Sequence, residues 1–409
     1  MYKILKNHTE RSKREMIDFT RELIKTPSLS LAENKIAELI EKKMKELAYD
    51  KVFRDEWGNV IGVIFGNEHD PAVILNSHMD TVGVKDAAEW RLDPYGALME
   101  NGKIFGLGAS DCKSGLAAQI YAGAILKHGL LPLKGALVVA ATAAEENGRS
   151  IGVRGLLEDT LPSLNIKPRY AILGETTNLD LYYGHDGWVM LNILVESDQP
   201  FHVEDATNGI YRDIEENYAH IGNGDNGEYY HITPPEFEET PGTRRGRILL
   251  SRKLGQEENC ADLIHSLNKN AHLIAENYGA VAVQVDVKKE CQTLYTGKTA
   301  IVENVVNAWM TDPYHPLIER SRQTLAAAGI AAKPMKWQLN RLEMGTAGNV
   351  LLNEFQIPTM GFGPGNLAMA HAANEYVETE NIPRAAYGAA AIAHGLIGYP
   401  VFGWTSDEI

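Results

Sequence analysis

Six short segments of this chain place acidic or imidazole side chains where apolar runs stop or glycine-rich turns begin. "VILNSHMDTVG" carries His78 and Asp80, "GLGASDCKSG" Asp111, "ATAAEENG" the adjacent pair Glu145 and Glu146, "YAILGETTN" Glu175, "GFGPGNLAMAHAANE" His371, and "QPFHVED" His202. Each has an ordinary explanation when taken singly. Asp111 can be a helix N-cap, the glutamate pair a solvated strand end, and a histidine in a loop commonly titrates or packs without reacting. Together they are harder to dismiss, because four separate apolar strand exits each present a carboxylate or an imidazole. Two histidines and three carboxylates are the donor types of a two-metal hydrolytic centre in which one carboxylate bridges the ions. In the adjacent pair, one glutamate can ligate while its neighbour, turned the other way, takes a proton from water. Asp80 follows His78 by two residues and lies on the same side of an extended chain. It can accept the second imidazole N–H and fix the ligating tautomer.

Bringing these groups together calls for strands whose C-terminal ends open at one edge. Apolar positions at helical spacing, Met16/Phe19/Leu23 and Ile36/Ile40/Met44, predict helices over 10–26 and 33–47, broken by "TPSLS". Strand-like runs follow near Val52–Arg54, in "GNVIGVIFG", in "PAVILNSHMD" and in "LKGALVVAATAAEENG", with a small-residue helix "GLAAQIYAGAILKHG" ended by Gly129. Near-continuous apolar strands alternating with helices predict an α/β domain with a mostly parallel central sheet flanked by helices. From about Asp186 the texture changes. "GWVMLNILVES" and "GRILLSRKL" bracket a helical stretch around Ile210–Ile221, and "AVAVQVDVKKE" alternates with period two. That predicts an inserted α+β domain over 185–300, with a discontinuous catalytic domain over 1–184 and 301–409. The Gly/Asn-rich run "HIGNGDNGEYYHITPPEFEETPG" reads as an exposed loop within the insertion.

Bulk properties agree with a soluble two-domain globular protein. The 409 residues exceed what one core ordinarily supports, and 44% hydrophobic with 23% charged residues is usual for a globular chain. A formal charge of −15 disfavours nucleic acid and anionic membrane surfaces as partners and is compatible with bound cations. Cys112, Cys260 and Cys291 form no CxxC pair, which argues for a reducing compartment. The charged N-terminal segment lacks a signal-type apolar core, and no run reaches membrane-spanning length, so the expectation is a cytoplasmic protein.

"SHMDTV", "ASDCKSG", "AAEENG", "GETT" and "AHAANE", in this order and spacing, resemble the M20 metallopeptidase/deacylase family. That family includes acetylornithine deacetylase, succinyl-diaminopimelate desuccinylase and glutamate carboxypeptidase. "DTVGV", "W..DPYGA" and "YAGAIL" are most similar to its branch of selenium-metabolism-linked hydrolases. The resemblance implies two divalent cations, zinc first, with cobalt and manganese also suited to these donors. His78 and Glu175 would hold one, Glu146 and His371 the other, and Asp111 would bridge them. Glu145 would be the general base and Asp80 the partner of His78, and the peptide bond after Asp111 would be cis. The inserted lid domain would form a homodimer and carry His202 to the other subunit's site. "FHVEDATNGI" departs from the family's loop, with Val203, Glu204 and Asp205 where small residues are usual. Arg252 aligns with an arginine that grips a substrate carboxylate, but Ser251 stands where an acidic residue usually precedes it. Thr346, Gly348, Gly363 and Gly365 would line the pocket and let main-chain N–H groups approach a carboxylate. The implied activity is hydrolysis of a small N-acylated amino acid or related amide. The alternatives are a dipeptidase or carboxypeptidase of the same family and a catalytically inactive ligand-binding member. Against the last, all seven metal-site and base positions are filled.

Overall fold

In the computed structural model, which describes residues 1–147, 149–217, 230–279, 281–337 and 344–399, the apolar runs form the middle of a nine-stranded sheet. Leu137–Thr142, Ala72–His78, Pro168–Leu173 and Thr359–Gly361 lie side by side in that order, all parallel. The first two are buried at every residue. Cover on both faces is the reason they read as continuous apolar runs rather than alternating ones. Antiparallel strands close the edges, Val60–Ile64 with Lys51–Arg54 on one side and Leu181–His185 with Trp309–Met310 on the other. Because the four central strands run the same way, all their C-terminal ends open at one edge of the sheet.

The helices Tyr2–Lys25, Asn34–Glu46, Ser114–His128 and Asn381–Ile397 share one core, to which Met16, Phe19, Ile40, Tyr121 and Ala389 contribute. Val153, Leu156, Leu161, Val350 and Leu351 belong to the core on the other face. The first helix begins at Tyr2, well before the expected residue 10. Its buried stripe passes through Thr9, whose hydroxyl donates to the Leu5 carbonyl at 2.9 Å, so a polar residue interrupted the apolar spacing. The helix Ser114–His128 is buried over nearly all its length. Gly115 permits its close approach to the sheet, since a Cβ there would stand 1.7 Å from the Gly174 carbonyl oxygen.

A second, six-stranded antiparallel sheet is built around Gly187–Ser197, paired with Thr243–Leu254 on one side and Ala282–Val287 on the other. Two helices, Pro200–Asn217 and Cys260–Ala275, bury Val203, Ile210, Leu267 and Ala271 against Leu191, Ile193 and Val195. The first starts ten residues earlier than the expected 210, and residues 218–221 of that expectation lie outside the described residues. The second was not expected, although Leu267, Ala271 and Ala275 repeat at helical spacing. The expected 220–242 loop lies outside the described residues over 220–229, but Tyr230–Ile232 and Glu236–Thr240 are strands paired with Thr243–Leu254. Prolines and charges of that kind are common on exposed sheet edges and hide a strand from its sequence pattern. A hairpin, Lys289–Thr293 and Thr299–Glu303, projects from the second sheet onto the first unit. There Leu294 and Val302 pack with Ala144 and Ile151, and Tyr295 Oη donates to the Gly58 carbonyl at 2.6 Å.

Candidate active site

His78 closes its strand and is 2% exposed. Its Nδ1 lies 2.9 Å from the carbonyl oxygen of Asp80 and 3.5 Å from Asp80 Oδ1, which leaves Nε2 facing Asp111 Oδ1 at 3.2 Å. The ring is thus oriented chiefly by the main chain of Asp80. The Asp80 carboxylate has further partners that the His78–Asp80 spacing did not disclose. Oδ1 accepts from the Glu145 N–H at 3.2 Å, and Oδ2 accepts from the Glu146 N–H at 3.0 Å and the Ser30 hydroxyl at 2.6 Å. This one side chain therefore ties the exit of the His78 strand to the segment bearing both glutamates.

Asp111 sits in the turn before the helix Ser114–His128, and the Asp111–Cys112 peptide is cis. The turn is held by Glu375, a buried carboxylate that accepts from the main-chain N–H groups of Gly108, Ser110 and Asp111 at 2.7, 2.7 and 2.8 Å. Held in this way, Asp111 turns one oxygen to each imidazole. Oδ1 faces His78, while Oδ2 lies 3.6 Å from His371 Nε2, which is itself 3.0 Å from Glu146 Oε2. Two donor groups result, His78, Asp111, Cys112 and Glu175 in one and Asp111, Glu146 and His371 in the other, each with its ligand atoms within 4.8 Å of one another. Glu145 belongs to neither, and its Oε1 accepts from the Ser150 hydroxyl at 3.1 Å. Ala144, Arg149, Ser150 and His371 have φ of 51, 52, 59 and 56°, a left-handed conformation rare for residues with a Cβ. Such conformations collect where side chains must be aimed for function.

The charge balance of the site fits divalent cations. Burial, then the charges of Glu146, Asp80 and Asp111, push Glu145 up to about 8 against the pull of His78. Burial and neighbouring carboxylates raise Glu175 well above the usual carboxylate range as well. Carboxylates crowded together out of water lack positive charge. Imidazole and carboxylate donors with one carboxylate shared between two groups suit a pair of such ions.

Around these groups the pocket is lined by His78, Asp111, Glu145, Glu146, Glu175 and His371 together with Arg149, Ser150, Val306, Trp337, Met344 and Gly345. The structure does not bring every expected residue here. His202 lies in the first turn of the helix Pro200–Asn217 with its ring against Gly279, away from the pocket of its own chain. Arg252 pairs with Glu258 and donates to the Lys253 carbonyl, also away from it. Thr346 is buried behind the pocket. Its N–H donates to His185 Nε2 at 3.0 Å, and its hydroxyl is 3.0 Å from the Tyr182 hydroxyl. Gly348 packs on the Trp309 ring, and Gly363 and Gly365 on the main chain of Glu175 and Ser110. These glycines allow close packing beneath the turns that carry Asp111 and Glu175 and are not among the lining residues. Conversely, the sequence reading passed over Arg149, Ser150 and Glu375. The first two extend the "AAEENG" run by a few residues, and Glu375 closes the "AHAANE" motif, so both motifs could have pointed to them.

The model of peptidase family M20/M25/M40 matches residues 74–394. Escherichia coli K12 YgeY, itself uncharacterised, is 26% identical over 91% of this chain and 92% of its own. A Bacillus subtilis N-formyl-4-amino-5-aminomethyl-2-methylpyrimidine deformylase is 24% identical over 92% of this chain and 93% of its own. Among solved structures, the Bacillus subtilis YxeP protein, a dinuclear metal-binding peptidase of the M20 family, superposes with a TM-score of 0.68 at 15% identity. That superposition covers 95% of this chain and 99% of YxeP and shows a shared fold.

Proposed function

The chain belongs to peptidase family M20/M25/M40, a family of amide-bond hydrolases, and on that premise we propose that it is a two-metal enzyme cleaving a small N-acylated amino acid or related amide. The observation that carries this reading is the placement of Asp111 between two imidazoles with Glu145 beside it but outside both donor groups. His78 and Glu175 would hold one cation, Glu146 and His371 the other, and Asp111 would bridge. Bound there, two divalent cations supply an acidified water and polarisation of the scissile carbonyl. Glu145 takes the proton of the attacking water and returns it to the leaving amine. Ser150 orients its carboxylate from one side, while Asp80 fixes the main chain beneath it. The nearly full-length likeness to a deformylase supports removal of an acyl group over cleavage between two amino acids. Zinc is the metal these donors suit first.

The reading includes a homodimer through the inserted unit, with His202 of one protomer serving the oxyanion in the other, and a cytoplasmic setting. No described helix is long and apolar enough to cross a membrane.

Metal content per chain, measured with a panel of N-acetyl, N-succinyl and N-carbamoyl amino acids and dipeptides before and after chelation, tests the proposal. About two ions are expected, with hydrolysis of acylated amino acids lost on chelation and restored by zinc, cobalt or manganese. Turnover of dipeptides alone would move the assignment to peptidase. Failure to take up metal under any loading condition would overturn it.

A further inference from the structure

Apart from the candidate ligands, Glu145, Arg149 and Ser150, the described lining of the pocket is Val306, Trp337, Met344 and Gly345. This remainder offers isopropyl, indole and thioether surface and no charge. Trp337 is its largest member. It ends the strand Pro334–Trp337 opposite His185, and its ring lies on the Tyr182 ring with centres 4.2 Å apart and planes 19° from parallel. Tyr182 is fixed in turn, tilted edge-on to Trp309 at 5.2 Å and with its hydroxyl 3.0 Å from that of Thr346. Met344 packs against the same core, which contains Tyr182, Trp309 and Trp337. Val306 lies close to the main chain of Gly345, where a Cβ would stand 2.8 Å from Val306 Cγ1. Displacing the indole would therefore break the stack and open a close-packed core.

A pocket that joins charged donors to such a wall suits a substrate with a polar reacting centre and an apolar end. The amine half of an N-acylated amino acid bears a carboxylate beside the scissile nitrogen. Against indole, isopropyl and thioether that charge would lose its hydration without gaining a partner. A hydrocarbon acyl chain carries no such cost, and its burial there is favourable. We propose that Val306, Trp337 and Met344 form the subsite for an uncharged hydrocarbon acyl chain, and that the Trp337 ring sets the length admitted. This inference deepens the hydrolase reading above and rests on it.

The test uses the metal-loaded full-length protein and two series of compounds. One lengthens the acyl chain of N-acylglycines from acetyl to octanoyl, with N-succinylglycine added. The other lengthens the straight side chain of N-acetyl amino acids from alanine to norleucine. Steady-state constants and unfolding temperatures are measured for the parent, Trp337→Phe, Trp337→Leu and Trp337→Ala, and calorimetric binding for each in a Glu145→Ala background. In the parent, each methylene should improve kcat/KM about 4-fold until the chain meets the indole, and pentanoyl should surpass succinyl. Trp337→Leu and Trp337→Ala should carry the optimum to longer acyl chains, improving those beyond the parent's limit roughly 10-fold relative to acetyl. Trp337→Phe, which can keep a ring on Tyr182, should move it least. A merely structural role for Trp337 would lower the unfolding temperature and all activities together with the optimum unmoved, and that result overturns the inference. So does a shift confined to the side-chain series, or a parent that prefers succinyl. In each of these cases the parent's turnover keeps the hydrolase reading. Binding that follows acyl length without turnover of any compound would keep the subsite and overturn the hydrolase reading, and a parent that neither binds nor cleaves any member overturns both.

Discussion

Asp80 joins two requirements in one buried carboxylate: it lies against His78, and it accepts the N–H groups of Glu145 and Glu146. Asp80→Asn keeps the shape but places an amide NH2 against main-chain donors, so both donor groups should loosen. Metal affinity should fall roughly 10- to 100-fold, as for other partners of ligating residues, in a titration against a metal buffer. Glu145→Ala separates base from ligand. Under the proposed mechanism it should keep both ions and lower kcat roughly 100- to 10,000-fold, and loss of metal in this variant would count against the role given to Glu145. The chemical residues were legible in the sequence because His78, Glu145, Glu146 and Glu175 end apolar runs, where a buried strand has no reason to carry charge, and Asp111 and His371 follow glycine-rich turns. Arg149 and Glu375 were not, because what they do is defined by partners far away in the chain, Asn304 in one case and residues 108–111 in the other.

The elements that aim these groups depend on close approach. Gly115 brings the helix following Asp111 against the end of the Glu175 strand. Gly115→Ala must push helix and strand apart, at a cost of about 1–3 kcal/mol in denaturant unfolding for an overpacked site. It should disturb metal binding as well, because Asp111 and Glu175 sit on the two elements being separated. An unfolding midpoint and metal affinity equal to the parent's would contradict this packing argument. Elements of the first sheet were readable because burial on both faces turns a parallel strand into an uninterrupted apolar run. In the second unit, Glu236–Thr240 pairs as an exposed strand and carries glutamates where a central strand would carry valines. Its sequence therefore resembles a loop, and only the neighbouring strand Thr243–Leu254 explains its conformation.

At the scale of the whole molecule, several buried carboxylates make stability depend on pH and metal together. Burial first, then neighbouring charges, push Glu145 to about 8, and burial takes Glu375 to about 8 and Glu33 to about 7. These folded values exceed the unfolded value of about 4.3. Their stabilising contribution is therefore complete below that value and is lost as pH rises through about 7 to 8. His185 acts in the opposite sense. Burial lowers it to about 4, so its contribution is present above the unfolded value of about 6.5 and is lost as pH falls towards 4. The metal-free protein should unfold at a lower temperature at pH 8 than at pH 5.5, and divalent cations should raise that temperature more at the higher pH. Calorimetric scans at the two pH values, with and without zinc, check this, and a metal-free protein more stable at pH 8 would contradict it. The hairpin resting on the first unit has its own consequence. The chain passes between the two sheets at Asp186 and at residues 307–308, and two such adjacent crossings alone would leave the second sheet free to swing about the line joining them, as a door does on two hinges. The contacts of Tyr295 with Gly58, Thr296 with Glu56 and Gln292 with Asn147 add an off-axis strut. Any swing of the second sheet must therefore first break these contacts, so the hairpin holds the two sheets together at a third point, off the line of the crossings.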